Sequence, residues 1–116
     1  MATRCVTRDE LRVALLAWQA GELTAAQLRD WAENLYAVDD VDVEDEIANE
    51  VLANLDILDI NLTTVDDVPV FLKMLSLPVD RVDEAAELLQ EHGESIDIAE
   101  RMRRYRDDPF YGRFCT

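Results

Sequence analysis

The sequence predicts an all-α fold, a single compact bundle of five to six short helices filling residues 1–116. Three observations predict it. Apolar residues recur at spacings of three and four along most of the chain. Ser, Thr and Asp residues stand where helix N-caps are needed, with Gly and Pro where helices stop. Strand-like alternation is confined to Asp40-Val41-Asp42-Val43, a run too short and too charged to be read as a strand.

Taken in order, Thr7-Arg8-Asp9-Glu10 has the capping-box spacing, and Leu11, Ala14, Leu15 and Trp18 follow as an apolar stripe. Gly21 ends this first helix. Thr24-Ala25-Ala26-Gln27 repeats the capping pattern, and Leu28, Trp31, Ala32 and Leu35 form the second stripe. The short link between them predicts an antiparallel hairpin. After an acidic connection, a third helix is expected from about residue 44 to about residue 59, with Ile47, Ala48, Val51, Leu52, Leu55 and Leu58 on one broad face.

Thr64 or Asp66 can cap a fourth helix, with Pro69 in its first turn and Val68, Phe71, Leu72 and Leu75 inward. Pro78 marks its end. A fifth helix, residues 80–92, carries Val82, Ala85, Ala86 and Leu89 and is expected to stop at Gly93. Ser95 is the expected cap of a sixth, with Ile98, Met102 and Tyr105 inward and Pro109 at its close. Residues 108–116 are an aromatic tail, either packed on the body or flexible.

The net charge of −15 is unevenly distributed. Residues 1–29 carry four Arg against three acids, and residues 73–116 seven basic against ten acidic residues. Residues 30–72 carry thirteen acids and no Lys or Arg. Such a chain repels phosphate backbones and anionic lipid, so neither nucleic acid nor membrane is an expected partner. A basic protein is the natural complement. No apolar run approaches the roughly 20 residues that span a bilayer, and residues 1–10 lack the apolar core of a signal peptide, so the expected location is cytoplasmic. Cys5 and Cys115 form no close-spaced motif and read as two reduced thiols, with an end-to-end disulfide as the alternative.

Enzyme chemistry is poorly represented. The one histidine, His92, precedes Gly93 and reads as a helix C-cap, and no Ser or Cys has a histidine partner in a recognisable motif. One His and two distant Cys do not make a zinc site. A calcium loop begun at Asp40 puts Asp45 where the sharp turn needs Gly and Val51 where it needs Glu. Carboxylate pairs for glycoside chemistry match everywhere and therefore signify little. Neither a metal nor a cofactor is expected. The tail's Arg101, Arg103, Arg104, Arg106 and Arg113 look like a nucleic-acid arm, but Asp97–Arg101 and Glu100–Arg104 have the spacing of helix-stabilising pairs.

Attention therefore falls on residues 37–46, AVDDVDVEDE. The candidate partner-binding residues are Tyr36, Asp39, Asp40, Asp42, Glu44, Asp45, Glu46, Glu50, Asp66 and Asp67, with the tyrosine as an aromatic anchor. The plain alternative is a solvated surface. This carboxylate-rich, helical character resembles the small acidic immunity proteins of bacterial toxin systems, those that guard against colicin-type nucleases or contact-delivered toxins. The resemblance implies a non-enzymatic inhibitor whose residues 36–67 cover a cationic toxin domain, acting as a monomer or weak homodimer. Two rival readings are a nucleic-acid mimic directed at a defence protein and a structural or oligomeric scaffold.

Overall fold

The computed structural model describes residues 4–36 and 41–115, the side chain of Tyr36 excepted. Among these residues the chain forms six α-helices and a pair of short strands: β1 (Arg4–Val6), α1 (Arg8–Gln19), α2 (Ala25–Tyr36), β2 (Val41–Val43), α3 (Glu46–Asp56), α4 (Val68–Met74), α5 (Val82–Ser95) and α6 (Ile98–Tyr105). The fold is thus mostly helical, and the expectation of a purely helical one is corrected by β1 and β2.

The two strands run parallel, with Arg4 opposite Val41, Cys5 opposite Asp42 and Val6 opposite Val43. A two-stranded sheet is not stable alone. Here it is held because Val6 is fully buried and Val41 and Val43 pack against the core, while Asp42 points out. The alternation rejected as too charged is a real strand whose β-branched residues face inward. The pair also brings the starts of α1 and α3 together. Glu44 N–H donates to the Val6 carbonyl at 2.9 Å.

Local signals set most helix boundaries. Thr7 accepts from the Glu10 N–H, and Thr24 and Gln27 complete a reciprocal capping box at 2.9 and 3.1 Å. Gly21 takes a left-handed φ of +82°. Around it Gly21 N–H donates to Trp18 and Glu22 N–H to Ala17, the paired bonds of a Schellman stop. Asp45 caps α3 by accepting from Ala48 N–H at 2.9 Å. All six residues assigned to the inner face of the third helix are buried, although α3 ends at Asp56 and the chain continues in turns through Leu58. Fully burying each such Leu, Ile or Val contributes about 1.5–3 kcal/mol.

Four expectations are corrected toward the C-terminus. The helix expected to stop at Gly93 runs through it to Ser95, because Gly93 keeps a helical backbone. Asp97, not Ser95, caps α6 by accepting from Glu100 N–H, and the Ser95 hydroxyl donates to the His92 carbonyl instead. Ile98, placed inward by periodicity, is 47% exposed. Arg101 leaves Asp97 and turns into the protein, where it is buried. The aromatic tail lies on the body: Tyr111 is buried and its hydroxyl donates to the Thr63 carbonyl at 2.6 Å, while Cys115 is also buried. Both cysteines are free thiols.

Candidate protein-binding surface

Apart from Asp30 and Glu33, which pair with Arg29 on α2, two groups stand out among the described acids of residues 30–72 by what surrounds them. The first group works inside the fold. Asp45 pairs with Arg8 at 2.7 Å while capping α3. Burial tends to raise this carboxyl, and the bonds from Arg8 and the Ala48 N–H outweigh it, leaving it below the usual carboxylate range. Glu44 accepts from the Arg8 backbone N–H at 2.7 Å, and the Arg8 guanidinium also reaches the Leu75 and Leu77 carbonyls. One arginine thereby ties the starts of α1 and α3 to the end of α4.

Asp67 is only 3% exposed. Arg101 donates to both of its oxygens at 2.8 Å, His92 Nε2 meets one of them, and the carboxylate accepts from the Thr64 N–H at 2.9 Å. Burial again tends to raise the carboxyl, and the bonds from Arg101, His92 and Thr64 hold it below the ordinary range. His92, expected to cap its helix, is thus a partner of a buried acid. Beside Asp67, the exposed Asp66 is paired with Arg104 at 2.8 Å. Asp59 is buried and held by Arg113 at 3.1 Å, with Arg29 at 3.8 Å. Asp45 and Asp67, assigned to a partner surface, are therefore corrected to internal roles, because arginines from both ends of the chain fold over them.

The second group faces outward. Asp42 projects from β2, and Glu46 and Glu50 stand one turn apart on α3. All three are exposed, and none has an ion pair among the described residues. Tyr36's side chain and residues Asp39 and Asp40 lie outside the described residues.

Glu46 and Glu50 line a groove of about 340 Å³ whose other wall is Val82, Ala85 and Ala86 of α5. A second hollow, of about 210 Å³, follows with Asn54 on one side and Leu89, His92 and Gly93 on the other. The order of these residues shows that α3 and α5 run side by side in the same direction. On α5, Asp83, Glu84, Glu87 and Glu91 are exposed, and the helix contains no Lys or Arg. The acidic surface is thus built from two helices, one of which the sequence reading passed over. Its signal was present: residues 80–94 hold Asp80, Asp83, Glu84, Glu87, Glu91 and Glu94 against Arg81 alone. Counting residues 73–116 together hid it behind the arginines of α6 and the tail.

Among the described residues no group of three or more His, Cys, Asp or Glu could hold a metal ion, and no helix is long and apolar enough to cross a membrane. No family model, no curated protein and no solved structure matches this chain.

Proposed function

We propose that the chain is a non-enzymatic inhibitor of immunity type, which binds a cationic protein, a toxin domain acting on nucleic acid, through the acidic face shared by β2, α3 and α5. The observation that carries this reading is the separation of the two groups of acids. Arg8, Arg101, Arg104 and Arg113 are spent on Asp45, Asp67, Asp66 and Asp59, which leaves Asp42, Glu46 and Glu50 without an ion pair among the described residues, the two glutamates across a groove from the acid-rich α5. An undiluted negative field speeds encounter with a positive partner and rejects negative ones. A nuclease must be positive where it grips phosphates, so a protein that covers that surface must be negative. The groove between α3 and α5 adds shape to charge.

The test is affinity capture from the source cell with the wild-type chain and with an Asp42→Lys/Glu46→Lys/Glu50→Lys variant. The expected result is a strongly basic protein that binds the wild type, elutes with salt, and loses its action on nucleic acid when bound. The variant should capture it at least tenfold less well. Equal capture by both chains would remove this surface from the proposal.

One observation favours a second reading. Asp83, Glu87, Glu91 and Glu94 recur every three or four residues along α5, a rise of about 4.5–6 Å each. A regular row of this kind supports mimicry of a phosphate backbone. Competition between the chain and duplex DNA for one binding site on the captured protein would favour that reading over simple occlusion.

A further inference from the structure

A further cleft lies away from the acidic face. It lies between α1 and α2, has a volume of about 650 Å³, and is floored by Val13, Ala14, Ala17, Leu23 and Trp31. It exists because α1 is apolar on two sides. Leu11, Leu15 and Trp18 enter the core, while Val13 and Ala17 line the cleft and exposed Leu16 adjoins them on the same side of the helix. Val13 is 68% exposed and Leu16 49% exposed, an unusual state for two large aliphatic residues on one helix face.

We infer that this cleft is a docking groove for a cationic amphipathic helix of a partner protein. The furrow between two neighbouring helices accepts the ridge of a third. Half-buried Trp31 supplies an aromatic wall of the kind that anchors binding. Charge selects the occupant. Asp9, Glu10 and Glu22 stand at the mouth of the cleft. Arg12 and Arg4 each hold a single oxygen of Asp9 and Glu10, and Glu22 has no ion pair among the described residues. Lysines or arginines flanking an apolar stripe would meet these carboxylates. A second copy of the chain, itself at −15, would bring like charge against like. This groove shares no lining residue with the α3–α5 surface, so it stands or falls independently of the function proposed above.

The test uses a synthetic helical peptide of about 18 Leu and Lys residues, with Leu at positions i, i+3, i+4 and i+7. Binding is followed by amide chemical-shift mapping and tryptophan fluorescence. The expected result is that shifts concentrate in α1 and α2, and that a peptide of the same composition in rearranged order binds about tenfold more weakly. A Val13→Gln/Leu16→Gln variant, altered only at exposed positions and checked for an unchanged melting curve, should lose about tenfold in affinity, or about 1.4 kcal/mol. Glu46→Lys/Glu50→Lys should leave the affinity within about twofold. Equal binding of the rearranged peptide, shifts confined to α3 and α5, or an undiminished affinity of the Gln variant would each overturn the inference. So would a stable wild-type homodimer that the Gln variant dissolves.

Discussion

Asp67 joins three parts of the chain through one carboxylate: it closes the capping box with Thr64, it meets His92 of α5, and it takes both nitrogens of Arg101 from α6. Removing one partner of a buried pair leaves the other charge stranded, at a cost of about 3–5 kcal/mol. Asp67→Asn should therefore lower stability by roughly 3 kcal/mol in urea unfolding, whereas Asp66→Asn, at the exposed neighbour, should leave the midpoint unchanged. The pH dependence follows from the same bonds. Because the folded carboxyl is held below its ordinary value, its contribution is complete above the unfolded-state pKa of about 3.9 and is lost as pH falls through the lower folded value. Stability measured down an acid titration should fall more steeply for the wild type than for Asp67→Asn, and parallel curves would refute the assignment. The pairing with His92 and Arg101 was not legible locally. Asp67 sits among turn residues that suggest solvent, and the arginine that buries it lies 34 positions away.

The two glycines that look like helix stops carry opposite predictions. Gly21 holds a left-handed φ with open space around a hypothetical Cβ, so Gly21→Ala should destabilise by about 1–2 kcal/mol through backbone strain alone. Gly93 lies within α5, also in open space, and Gly93→Ala should stabilise by about 0.5–1 kcal/mol. Thermal melts of the two variants, moving in opposite directions, would verify both. What separates the glycines is the continuation of the chain. After Gly21 comes a new capping box at Thr24, whereas after Gly93 the next cap, Asp97, is far enough away for the helix to run two residues more. Signals that act within three or four residues, such as the caps at Thr7, Thr24 and Thr64, were readable from sequence. Strand β2 was not, because its partner β1 lies before α1 and α2 and its worth depends on Val6 being buried in the core.

For the whole molecule the main force to weigh is self-repulsion. The chain extends 43 × 28 × 23 Å, and at about 0.01 M salt the screening length of about 30 Å lets carboxylates interact across most of it. Raising salt to about 0.15 M shortens that length to about 8 Å. The melting temperature should therefore rise with salt, and a fall would mean that the ion pairs outweigh the uncompensated face. The apolar pattern of α3 revealed the core, since burial follows helical periodicity. The charge pattern revealed an excess of acid but not its arrangement, because side chains such as Arg8 and Arg101 choose among many acids only when the helices have met. That late choice bears on biosynthesis. A ribosome delivers Asp67 well before Arg101 and Tyr111, so the nascent polypeptide holds a carboxylate it must bury without the cation that permits it. Native closure waits until Arg101 has been made, and a premature stop ahead of it should yield a product that cellular proteases clear instead of a shorter working protein.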